Sequence, residues 1–110
     1  MATLFTKILN REIPADIVYE DDHVFAFHDI DPQAPIHIVI VTRQEIQGPA
    51  SVPDQGDHQH LLNAARVIAE KLELKKGFRL VLNQGEDAGQ SVEHIHMHLL
   101  AGRKLAWPPG

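Results

Sequence analysis

The sequence predicts an α+β fold: an antiparallel sheet of about five strands, one long helix on one face of it, and a short N-terminal helix. Three observations carry this prediction. Short runs rich in β-branched and aromatic residues recur along the chain, bounded by polar, Pro and Gly clusters. One stretch repeats Leu61, Leu62, Ala65, Ile68, Ala69 and Leu72 at helical spacing. The loop between the last two strand signals is shorter than the dozen or so residues of a parallel crossover, so those strands pair antiparallel.

Leu4 to Leu9 is weakly amphipathic and ends before Ile13-Pro14, as a short helix would. Ile17-Val18-Tyr19 and Val24 to Asp29 flank the polar cluster Glu20-Asp21-Asp22-His23 and form a hairpin. Asp31-Pro32-Gln33-Ala34-Pro35 is a stiff loop, because each proline fixes its own φ and restricts the residue before it. Ile36 to Val41 is a third strand, aliphatic enough to be buried. Residues 44 to 56 form a loop, after which Asp54 or Asp57 caps the long helix, with His58 and His60 solvated at its start. Lys75-Lys76-Gly77 supplies the stop. Phe78 to Asn83 is the fourth strand, Gln84 to Gln90 a glycine-bearing loop, and Ser91 to Leu100 the last strand.

The 110 residues fit a single domain, 1–110. A formal charge of -5 and the lack of any clustered Lys/Arg run exclude an extended nucleic-acid surface, while backbone donors can still hold the phosphate of one nucleotide. Cysteine is absent, which excludes disulfides, thiol catalysis and cysteine-based zinc sites and fits a reducing compartment. The leading stretch, Met1 to Ile8, has no sustained apolar core of a signal peptide, and no segment approaches a bilayer span. A cytoplasmic location is expected, with no membrane partner.

The informative segment is His94-Ile95-His96-Met97-His98. On a strand, alternate side chains share a face, so three imidazoles would look toward a site while Ile95, Met97 and Leu99 seal a core. A structural row of histidines is the bland alternative, weakened by three in alternation among aliphatics. A metal site is a second, since zinc commonly takes three protein ligands, but it is weakened by the absence of an obvious carboxylate ligand beside the triad and of cysteine anywhere. Covalent catalysis is the third: a neutral imidazole attacks phosphorus, its neighbours orient it, and Gly89-Gln90-Ser91 offers donors just ahead of it. That third reading is preferred, with no cofactor and no metal.

These residues resemble a known family. His94 to Leu100 matches the His-φ-His-φ-His-φ-φ signature of the histidine triad (HIT) superfamily. Arg11-Glu12-Ile13-Pro14, Ala26-Phe27-His28-Asp29-Ile30, Pro32 to His37, Gly89-Gln90-Ser91-Val92 and the terminal Trp107-Pro108-Pro109-Gly110 are similar to its nucleotide-binding Hint branch, so the resemblance runs over nearly the whole chain. Asp87-Ala88-Gly89 departs from it, standing where a Gly-Gly pair is common.

The resemblance implies a HIT fold, a homodimer and a purine nucleotide ligand, AMP or GMP. It also implies hydrolysis of a P–N bond through a nucleotidyl-histidine, with dinucleoside polyphosphate cleavage, nucleotidyl transfer or vestigial nucleotide binding as alternatives. His96 matches the nucleophile, His98 a phosphate contact, and His94 and His37 its supports, with Ser91 near the leaving nitrogen. Asp29 matches the ribose carboxylate. Phe5, Ile8, Ile13, Phe27, His28 and Ile30 match the nucleoside pocket, and Asn83, Gly89 and Gln90 match polar groups near the phosphate. Trp107 matches a residue that reaches the active-site region of the dimer. Phe27, Ile8 and Ile30 could equally be core, Asp29 a turn cap, and His37 a satisfied buried histidine.

Overall fold

The computed structural model describes residues 3–110; Met1 and Ala2, part of the leading stretch, lie outside the described residues. Five antiparallel strands run β1 (Ile17–Glu20), β2 (Val24–His28), β3 (Ile36–Thr42), β4 (Arg79–Leu82) and β5 (His96–Ala101) in the spatial order β1-β2-β3-β5-β4. The helices are α1 (Leu4–Leu9) and α2 (Leu61–Lys71), the latter entered through a 3₁₀ turn, Asp57–His60. Among the described residues no helix is long and apolar enough to cross a membrane.

The middle strand β3 has two buried faces, which is why its sequence is almost wholly aliphatic. Ile38 and Ile40 join Val24, Ala26, Met97 and Leu99 under α2, whose Leu61, Ala64, Ala65, Ile68 and Ala69 face the sheet. Three of those five are alanines, which lets the helix axis approach closely. On the opposite face Val39 and Val41 pack with Phe25, Phe27 and the two buried residues of α1, Phe5 and Ile8. The short helix thus roofs part of the face that α2 leaves free.

Four details differ from the sequence reading. The last strand begins at His96 instead of Ser91, because the Ile95 N–H is taken by the Ile46 carbonyl at 2.7 Å and not by a ladder partner. Leu62 and Leu72 lie on the outer side of α2, Leu62 being 64% exposed. The helix stops before Gly77: Glu73 takes the left-handed conformation (φ 55), and the Leu74 and Glu73 N–H groups close on Ala69 and Glu70 carbonyls. His60 is not simply solvated, since its ring stacks on His23 at 3.7 Å and His23 pairs with Asp57 at 3.1 Å.

Candidate active site

The two innermost strands carry the histidines. Register pairs Val39 with His98, Val41 with His96 and His37 with Leu100, so His37, His96 and His98 share the face opposite α2. His94 precedes β5 yet reaches the same side, fully buried and edge-on to Phe5 with the ring centroids 5.7 Å apart. Phe5 also stands edge-on to His96 at 4.8 Å.

Hydrogen bonds assign the protons of these rings. A carbonyl only accepts, so His96 Nδ1, 2.7 Å from the His94 carbonyl, carries hydrogen and the neutral ring has its lone pair on Nε2. By the same logic His94 Nε2 donates to the Thr42 carbonyl at 2.8 Å, and its Nδ1 accepts from the Thr3 hydroxyl at 2.8 Å. A third chain starts at the Gln33 backbone N–H, which donates to His37 Nδ1 at 3.1 Å. His37 Nε2 then donates to His98 Nδ1 at 2.8 Å, leaving the proton of neutral His98 on Nε2. The site therefore offers one bare nitrogen, on His96, and one N–H, on His98.

Burial favours the neutral form of His94, His96 and His98. Desolvation is the largest influence on His96 and His94 and holds both below the ordinary imidazole range. His98 is pushed to about 4, first by desolvation and then by the positive charge that His96 or His37 would carry.

Two neighbouring cavities meet at this point. One, of about 210 Å³, is lined by Phe5, Ile8, Ile13, Phe27, His28, Asp29, Ile30, Ser91, His96 and His98. Ile30 is only a rim residue, 99% exposed. The second, of about 850 Å³, shares Leu4, Ser91 and Val92 with the first and adds Thr3, Glu45, Gln47 and Glu93. His37 and His94 line neither and stand behind the reactive rings. Asn83, Gly89 and Gln90 line neither as well. The Gln90 side chain braces its own loop, donating to Gln47 and Val92 carbonyls and accepting from the Gly85 N–H. Trp107, 82% exposed, is not brought to the site within one chain. Thr3, Thr42, Glu45 and Glu93 have no signal in the sequence, because each acts through a contact formed only on folding.

Asp29 comes beside the triad in space: Oδ2 lies 3.5 Å from His37 Nε2, while Oδ1 accepts from the Asp31 N–H. The sequence argument that no carboxylate stands there is thereby corrected. Asp29, His37 and His98 offer ligand atoms within 4.8 Å of one another. Two nitrogens sharing a tetrahedral zinc at about 2.05 Å would stand about 3.4 Å apart. His37 Nε2 and His98 Nδ1 are 2.8 Å apart, so a proton and not a cation fits between them.

An antiparallel sheet with a long helix on one face and clustered imidazoles at a cavity on the other defines an α+β protein with a histidine-based site. Residues 10–105 match the HIT domain model, and the chain belongs to the HIT domain family. It is 46% identical to a 14 kDa zinc-binding protein of Zea mays, over 98% of this chain and 88% of that one. A HIT family hydrolase of Legionella pneumophila superposes with a TM-score of 0.91 at 44% identity, covering 99% of this chain and all (100%) of the other. A histidine triad nucleotide-binding protein of Candida albicans gives a TM-score of 0.84 at 27% identity, over 97% and 83%. The fold is that of a HIT-family hydrolase or nucleotide-binding protein.

Proposed function

We propose that the protein is a purine nucleoside phosphoramidase of the Hint type, hydrolysing the P–N bond between a nucleoside 5′-monophosphate and an amine. The observation that carries this over polyphosphate cleavage is the second cavity. Among the described residues that line it, the charged side chains are Glu45 and Glu93. The Thr6 hydroxyl donates to Glu45 and holds it below the usual carboxylate range, so it is anionic at neutral pH. Such a cavity repels a nucleotide or pyrophosphate leaving group and suits an amine, for example a lysine side chain.

The nucleoside takes the apolar cavity between Phe5, Ile8 and Phe27, with its ribose hydroxyls on Asp29. His96 Nε2 attacks phosphorus and the P–N bond breaks. The nitrogen leaves as a neutral amine after taking a proton from solvent through the Ser91 hydroxyl, on the wall both cavities share. Protonation is required because an amide anion is a very poor leaving group. His98, uncharged at neutral pH, serves as an N–H donor to a phosphate oxygen instead of a cationic acid. The nucleotidyl-His96 ring is cationic and keeps its Nδ1–H on the His94 carbonyl. Water then attacks phosphorus, His96 departs as a neutral ring, and the proton released by water returns to solvent.

The test is steady-state AMP release from an adenosine 5′-phosphoramidate of an alkyl amine, beside a dinucleoside triphosphate. Strong preference for the phosphoramidate is expected, narrowed in Glu93→Lys. Preference for the polyphosphate by the wild type would assign the sibling activity, and turnover of neither would leave a binding protein. Asp29→Ala should raise KM by about tenfold, the worth of one charge-assisted hydrogen bond, with a smaller fall in kcat. An unchanged KM would remove Asp29 from the ribose.

We further infer a homodimer. β4 is an edge strand, and Phe78, Leu82 and Leu62 expose apolar surface around it and the outer side of α2. Light scattering should give twice the 12.3 kDa chain mass at micromolar concentration, and Leu62→Glu should halve it. A wild-type monomer would count against the dimer.

A further inference from the structure

The Thr3 hydroxyl belongs to two structures at once. It accepts the Thr6 N–H at 3.1 Å, which makes Thr3 the N-cap of α1, and it lies 2.8 Å from Nδ1 of His94. The ring proton of His94 is committed to the Thr42 carbonyl, so the only role left at Nδ1 is acceptor, and Thr3 is the donor. A buried imidazole nitrogen with no donor would carry a desolvation penalty. Without Thr3 the ring keeps only its Thr42 contacts, and Nδ1 is left buried with no donor.

That ring is one atom group away from the nucleophile. The backbone carbonyl of His94 holds the Nδ1 proton of His96, and this bond is what leaves Nε2 bare. His94 sits outside the strand ladder, its N–H bonded to the Val92 carbonyl and its peptide with Ile95 held by the Ile95 N–H on Ile46. The bonds to Thr42 and Thr3 hold the ring of the same residue. Resting on the phosphoramidase reading, we propose that Thr3 is a positioning residue for the reaction: its hydroxyl locks the His94 ring, the ring and the Ile95–Ile46 bond together fix the His94 carbonyl, and the carbonyl sets the tautomer of His96. The same hydroxyl caps the helix that carries Phe5 and Ile8, so the nucleoside seat and the nucleophile share one anchor.

Separating the two roles needs three variants. Thr3→Val removes the hydroxyl at constant shape, Thr3→Ser restores it, and Lys7→Gly weakens exposed α1 without touching Thr3. Kinetics on the adenosine alkyl phosphoramidate are read beside imidazole ¹⁵N shifts, which report tautomers without turnover. Thr3→Val should lower kcat about tenfold, while the ¹⁵N shifts of His94 and His96 lose their single-tautomer pattern. Thr3→Ser should recover both. Lys7→Gly should raise KM and leave both rings unchanged. A Thr3→Val enzyme with wild-type ¹⁵N shifts, or with a KM effect alone like that of Lys7→Gly, overturns the proposal and leaves Thr3 as a helix cap. A wild-type chain that releases no AMP overturns the reaction reading instead, and the ¹⁵N arm still decides whether Thr3 sets the tautomers.

Discussion

His96→Ala is expected to abolish turnover of the phosphoramidate, by a thousandfold at the very least on the order set by loss of a covalent nucleophile. The variant should still bind AMP, because the apolar walls from Phe5 to Phe27 and the Asp29 carboxylate are untouched. Acid-quenched wild-type enzyme should carry a nucleotidyl group on one histidine, and the variant none. The removed ring is buried with one hydrogen bond to a backbone carbonyl, so the vacated space also costs stability. A thermal melt keeps the two effects apart. Full activity in His96→Ala, or an adduct on another residue, would reassign the nucleophile.

The second large effect is on pH. His94, His96 and His98 all have folded-state values below the 6.5 of an unperturbed imidazole, with burial the leading cause. Two consequences follow, with opposite senses. The neutral nucleophile survives into acid, so the acid limb of kcat/KM should lie below 6.5 and not at it. Stability moves the other way. Between the unfolded value of 6.5 and the folded value of about 4 for His98, the unfolded chain binds more protons than the native one. Stability conferred by the neutral rings is therefore complete above 6.5 and drains as pH falls toward 4. Chemical denaturation at pH 7, 5.5 and 4 should show midpoints falling in that order. A midpoint flat from 7 to 4, or an acid limb at or above 6.5, would contradict the assignment of buried neutral rings.

The strands and the long helix were legible because their periodicities are strong: β3 is aliphatic on both faces and α2 repeats at helical spacing. His96 and His98 on one face followed from alternation alone. His94 reaches the same side from outside the strand, because the Ile95 N–H is captured by Ile46, a partner far away in sequence. The support of His98 by His37 spans 61 positions, and that of His94 by Thr3 spans 91. No local pattern encodes such pairs. Asp29 illustrates the same point: beside a stiff proline loop it reads as a turn cap, and it does accept the Asp31 N–H, yet its other oxygen looks at His37. Glu45 and Glu93 look like ordinary surface charges until the fold places them on one cavity wall.

The reactive imidazoles stand on the interior strand β5, while the roof above them is a helix of six residues. A helix so short has little stability of its own and is held by Phe5, Ile8 and its cap. The molecule therefore has a rigid floor and a removable ceiling. In hydrogen exchange the amides of β3 and β5 should open only with the whole protein, whereas those of α1 should exchange through a local event many times more frequent. The Thr3 hydroxyl belongs to that short helix, so the nucleoside seat and the proposed brace on His94 would be lost and regained in the same local event.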